Sequence, residues 1–269
     1  MFRRIIAAFS AALVLCTGIS PVMAETDYSA YTTEELLAMA AGVSAELNSR
    51  ATGQAEDSAK ANFLYAGNGK QIQIRTYIGE GGLMVIPAEI DGVPVTHIGE
   101  EAFRGNKTIT GVVLPDGLLV IGNTAFYART LTGTVTLPPS LRVADYESFL
   151  LTNVTGVYVL SENCTIGRRA FENTPAEFLY IREGCKVALD QNSFAYSGEM
   201  LYAVIPASVT SIHSDAFQTC PKLTIVTPPG SYAERYAQKH FIPCNTADYD
   251  QYVAKYEAQL LEDTAAALQ

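Results

Sequence analysis

The sequence predicts a solenoid of parallel β-strands, with one main strand and one shorter extended piece per coil, flanked by terminal helices. Three observations predict it. Six phenylalanines, Phe103, Phe126, Phe149, Phe171, Phe194 and Phe217, recur at intervals of 23, 23, 22, 23 and 23 residues. Each follows a small residue: Ala102, Ala125, Ser148, Ala170, Ser193 and Ala216. Five positions upstream stand Ile98, Ile121, Ala144, Ile166, Leu189 and Ile212, nearly all large and aliphatic. A period in the twenties marks coils that stack because none buries its apolar face alone.

Residues 1–24 read as a secretory signal peptide. Arg3 and Arg4 open it, Ile5 to Leu15 form its apolar run, and Val22-Met23-Ala24 offers small residues for cleavage. The run is too short for a membrane span. Residues 25–48 follow as an amphipathic helix, with Leu36, Met39, Ala40, Val43 and Leu47 on one face. Residues 49–62 are small and polar, a linker. The repeats occupy 63–245, and 246–269 form a second amphipathic helix through Tyr249, Tyr252, Val253, Tyr256 and Leu260. A solenoid end exposes core and strand edges, so this last helix is expected to cap the stack; docking of a partner is the other reading.

Within a coil, a short alternating strand precedes proline, as in Val112-Val113-Leu114-Pro115, Val135-Thr136-Leu137-Pro138 and Ala203-Val204-Ile205-Pro206. A second extended piece follows, seen in Val95 to Ile98 and Val209 to Ile212. A polar turn then leads into the Ala-Phe or Ser-Phe pair. Coils about 4.8 Å apart would align the six rings in one column about 24 Å long. The third and fourth coils are expected to be the least regular: Ala144 replaces the aliphatic residue, and Ser161 and Arg182 stand where proline is expected.

These segments resemble the BspA-like leucine-rich repeats of secreted and cell-surface bacterial proteins. The resemblance rests on Ile98-Gly-Glu-Glu-Ala-Phe103, Ile121-Gly-Asn-Thr-Ala-Phe126, Val209-Thr-Ser-Ile-His-Ser-Asp-Ala-Phe-Gln-Thr-Cys220 and the lead-in Ile86 to Gly99. The stretch Pro229 to Ala237 is similar to the way such arrays end. The resemblance implies an exported recognition protein, adhesive in better-known members, with no catalytic residues.

The composition agrees with binding at an extracellular surface. Residues 1–24 hold two arginines and no acid, so the remainder carries 16 basic and 28 acidic side chains, net −12. That balance is unsuited to nucleic acid or anionic membrane. No second apolar stretch is long enough to cross a membrane, so the product is expected to be secreted, free or held non-covalently at a surface. His97, His213 and His240 lack converging partners, and no nucleophile elbow, metal helix or phosphate loop is present. No catalytic residue, cofactor or metal is therefore assigned. Cys164, Cys185, Cys220 and Cys244 leave two readings open. Bridges between neighbouring coils (Cys164–Cys185 and Cys220–Cys244) fit the compartment. Free thiols fit the two-position offset of the first pair.

The candidate binding residues lie on the outer face of the main sheet. Tyr158, Tyr180 and Tyr202, 22 residues apart, alternate with inward-facing positions, and stacking is expected to align them with Val113, Thr136 and Val204 as an exposed stripe. The partner is expected to be a protein or glycoprotein on a host or neighbouring cell. A glycan or cell-wall component is the alternative, and a hydrolase using His213 and Asp215 a more remote one.

Overall fold

In the computed structural model, which describes residues 61–267, the coils stack into two main sheets, a separate strand pair and one turn column. The first sheet places β1 (Phe63–Gly67), β2 (Ile72–Tyr77), β5 (Val93–Ile98), β7 (Val120–Ile121), β9 (Val143–Ala144), β11 (Asn163–Ile166), β13 (Lys186–Leu189) and β15 (Ser211–Ile212) side by side in that order. β4 (Glu89–Ile90) pairs on to β5. The second sheet runs β8 (Thr132–Leu137), β10 (Asn153–Val159), β12 (Phe178–Ile181), β14 (Tyr202–Val204), β16 (Thr224–Val226) and β17 (Cys244–Asn245). β3 (Gly82–Val85) and β6 (Ile109–Val113) pair separately. Pairing is parallel except for β1 with β2 and β4 with β5. Two helices are described, α1 (Tyr232–Lys239) and α2 (Tyr249–Ala267). Residues 56–253 form one compact unit; from Ala254 onward α2 belongs to a second. The expected signal peptide, the expected first amphipathic helix and nearly all of the expected linker lie outside the described residues.

The periodic aliphatic positions are in register. Ile98, Ile121, Ala144, Ile166, Leu189 and Ile212 pair successively across the first sheet, and Ile74 extends the row by one coil. The phenylalanine column forms as predicted. Centroid distances from Phe103 to Phe217 are 4.9, 4.6, 4.7, 5.2 and 5.8 Å. Four of those five pairs are near-parallel stacks. All six rings are buried, each adding roughly 2–3 kcal/mol of apolar burial.

The turn beneath this column has a backbone rule of its own. Residues two before the phenylalanine (Glu101, Thr124, Glu147, Arg169, Asn192) have φ between 49° and 60°. Left-handed residues also fall two after it: Gly105, Leu151, Asn173, Tyr196 and Thr219. Alternating handedness aims successive N–H groups along the stack. Phe103 N–H donates to Ala125 O, Phe126 to Ser148, Phe149 to Ala170, Phe171 to Ser193 and Phe194 to Ala216, all at 2.7–2.9 Å. The third side of each coil is thus a main-chain ladder, which satisfies polar groups that burial would otherwise orphan.

Two expectations are corrected. The third and fourth coils are among the most regular: β10 is the longest strand of either sheet, and Phe149 stacks on both neighbours at interplanar angles of 5°. Local chemistry replaces the missing residues there. Ser161 Oγ donates to Leu141 O at 2.5 Å, and Glu147 pairs with Arg169, which also holds Glu172 at 2.7 Å. The helix that closes the column is α1 rather than the C-terminal helix. Its Tyr236 ring meets Phe217 edge-on at 6.3 Å. The Tyr236 hydroxyl donates to Ser214 O at 3.2 Å.

Of the two readings left open for the cysteines, the free-thiol one holds for all four in the repeats. Cys164 pairs in register with Val187, two residues beyond Cys185, so the offset keeps the pair apart. Cys220 takes the place, three residues after the phenylalanine, where Thr152, Thr174 and Ser197 stand in earlier coils. Thr152 and Thr174 donate there to the preceding Phe carbonyl. Cys220 Sγ donates instead to Phe194 O at 3.2 Å.

Candidate recognition surface

The outer face of the second sheet carries two rows of side chains. One row runs Thr136, Tyr158, Tyr180, Val204, Val226, each in register with the next. β3 and β6 add Val85 beside Val113 ahead of it. The other row runs Thr134, Gly156, Phe178, Tyr202, Thr224. The three tyrosines therefore do not form one stripe. Tyr158 and Tyr180 are neighbours, but 24 residues separate Tyr180 from its partner Val204, so Tyr202 moves to the second row beside Phe178.

Nor is the stripe exposed along its length. Tyr158 and Tyr180 are 0% exposed, and Val204 is likewise buried. Tyr158 packs edge-on against Phe178 at 5.0 Å and against Tyr180 at 6.3 Å. Gly156 makes room for this cluster, since a Cβ there would lie 2.3 Å from the Phe178 ring. Tyr202 is half-buried beneath Tyr252 of α2, with centroids 4.8 Å apart. The hydrogen bond to Tyr202 first, and burial second, push the Tyr252 phenol up to about 12. Tyr249, three residues earlier on α2, donates its hydroxyl to Glu183, and its acidity is lowered by burial and by that bond.

The same face is open at its other end. Leu83 and Val85 on β3 are exposed, and Val113, Thr134 and Thr136 are partly so. Three of the six residues singled out in the sequence keep partial exposure: Val113 and Thr136 at this open end, and Tyr202 beside α2. Sequence reasoning overlooked Leu83 and Val85 because their coil lacks a phenylalanine and falls outside the six-fold spacing. Its hairpin was legible in the Asn68-Gly69 pair, which joins β1 to β2 as Asp91-Gly92 joins β4 to β5.

Elsewhere the side chains are arranged for structure. His97 on β5 and His213 beyond β15 lie on strands far apart in the first sheet, with β7, β9, β11 and β13 between them. His97 Nδ1 bonds Thr96 Oγ1 at 2.8 Å, and His213 Nδ1 accepts the Asp215 N–H at 3.1 Å. Asp215 stands two before the last phenylalanine, so His213 serves a donor that lacks a following coil. Among the described residues no cluster of His, Cys, Asp and Glu is placed to hold a metal ion. No described helix is long and apolar enough to cross a membrane.

This geometry can be set beside known proteins. The family model for the BspA type leucine rich repeat region matches residues 89–200 and 187–251, in six copies, more than half of the chain. The chain belongs to the BspA-type leucine-rich repeat family. Among solved structures, this BspA-type chain is similar to a leucine-rich repeat protein from Bacteroides ovatus, with 20% identity over 61% of this chain and a TM-score of 0.50. It spans 45% of that protein's length, and the likeness shows the shared repeat fold. T. pallidum TpLRR is 26% identical over 62% of this chain and 69% of its own, with a TM-score of 0.43. A leucine rich cell surface protein of Faecalibacterium prausnitzii matches at 12% identity over 71% and 96%, with a TM-score of 0.22. No curated protein matches.

Proposed function

We propose that this BspA-type protein is an extracellular or cell-surface recognition protein that binds a protein or glycoprotein through the open end of its outer sheet face. The carrying observation is that Leu83, Val85, Val113 and Thr136 present apolar and β-branched side chains to solvent on a rigid sheet. Ordered strands present such a surface with little ordering cost on binding, and apolar anchors on it supply affinity. The family's repeat architecture supports a binding role over catalysis. The glycan reading needs displayed rings for stacking, and of the three tyrosines only Tyr202 keeps partial exposure.

A panel of immobilised extracellular-matrix proteins and a glycan array test this directly. At least one matrix protein should retain the chain, and Val113→Lys with Thr136→Lys should abolish retention while leaving circular dichroism unchanged. Binding confined to the glycan array, or binding indifferent to both lysines, would overturn the proposal.

A further inference from the structure

Nothing in the fold accounts for a phenylalanine at position 241. It stands two residues past the end of α1, where the helix closes in a Schellman turn. Ile242 N–H donates there to Ala237 O at 3.0 Å, and Phe241 N–H to Gln238 O at 3.4 Å. The φ of Phe241 is 56°, the left-handed setting that glycine adopts without strain and a side chain does not. The other left-handed non-glycine residues described lie in the turn column or, for Asp91, in a hairpin. No packing offsets the strain, because the Phe241 ring is 95% exposed while Ile242 beside it packs on the core. Glycine would serve the fold better. An aromatic ring held in solvent on a strained backbone is a feature of contact sites.

Charge and shape indicate what receives the ring. Residues 235–245 hold Arg235 and Lys239 and no acid, in a chain of net charge −10. The matching receptor is an apolar cavity with an acidic rim. The chain carries one in the same closing stretch of the array. Its volume is about 430 Å³, its walls include Pro228, Pro229 and Val253, and its rim has Glu183 and Asp250 and no basic side chain. The Tyr249 hydroxyl donates to Glu183 and steadies one side. An aromatic ring fits that volume, yet the exposure of Phe241 places it outside its own chain's cavity. We propose that Phe241 of one copy inserts into this cavity of a second copy, with Lys239 against Asp250. Thr246 lines the cavity shortly after Phe241 in the chain, so ring and cavity share one end of the stack and the exchange is reciprocal. Such a contact is two-fold and closes at two copies. The open end of the outer sheet, on β6 and β8, stays free in both.

Sedimentation equilibrium on the chain from Glu25 onward tests this. The mass should move from one chain to two as concentration rises from micromolar to millimolar. Phe241→Gly should raise Tm and yet weaken association at least about tenfold. Lys239→Glu alone and Asp250→Lys alone set like charges against each other, and each should hold the mass at one chain. An equal mixture of those two variants brings opposite charges together at both contacts and should restore the two-chain mass. Tyr196→Ser, which removes another exposed aromatic of positive φ, should change nothing. A single-chain mass at every concentration overturns the proposal; if Phe241→Gly then also loses retention on matrix protein, a foreign protein receives the ring. Association that survives Phe241→Gly or both charge variants, a mixture that stays single-chain, or a mass rising past two overturns it equally. Should a charge variant misfold, the contrast between Phe241→Gly and Tyr196→Ser decides.

Discussion

Ser148 and Ser193 occupy the position where the four other coils have alanine. Both are fully buried, and neither hydroxyl finds a hydrogen-bond partner. A buried hydroxyl without a partner costs desolvation and returns nothing. Ser148→Ala and Ser193→Ala should each stabilise by about 1 kcal/mol. Calorimetry should show Tm rising by roughly 2–4 °C per substitution; a fall would mean that these hydroxyls are satisfied. Glycines are read the same way. Gly156→Ala drives a methyl into the Phe178 ring and should cost about 1–3 kcal/mol in urea denaturation. Gly198→Ala meets nothing within 4 Å and should be close to neutral. The spacing marked Ser148 and Ser193 as equivalents of alanine, and their burial follows from it. Nothing in the spacing marked Gly156, because its demand comes from an aromatic ring one coil away.

At the scale of elements, α1 acts as an end plate through Tyr236. Ser231 caps the helix by accepting the Glu234 N–H at 3.0 Å, which fixes where the tyrosine falls. Burial pushes the Tyr236 phenol up to about 12 from an ordinary 10. The folded chain then keeps a proton that the unfolded chain sheds. This contribution to stability is whole below pH 10 and is lost as pH rises through about 12. Tyr236→Phe should lower stability by about 1 kcal/mol near neutrality, because the bond from the hydroxyl to Ser214 O is lost. It should also make the alkaline fall in Tm shallower. Tyr252 shares the window, so part of the fall should persist. An unchanged alkaline profile would remove Tyr236 from the cap. The stretch Pro229 to Ala237 was recognisable in sequence as an array ending. That it, and not the longer C-terminal helix, closes the column was not legible, because both carry apolar faces and only the position after the last coil separates them.

Across the whole molecule, thiol chemistry reports whether the coils are stacked. Burial pushes Cys164 and Cys220 up to about 11; Cys164 and Cys185 are buried and Cys220 is partly so. Cys244 is raised by burial too, but is exposed. Below pH 9 the folded repeats should alkylate quickly at Cys244 alone, and at all four positions in denaturant. Equal rates at Cys164 and Cys244 in the folded chain would contradict the stack. By itself the sequence determined the period, the ring column, the aliphatic row and the family, because each is a repetition that must be written once per coil. The tertiary structure alone decided which sheet positions stay accessible, which helix closes the column and which cysteines face each other. Those outcomes depend on register between coils and on what covers each face, and two residues gained or lost in one coil, as between Tyr180 and Val204, move a side chain from one row to the next.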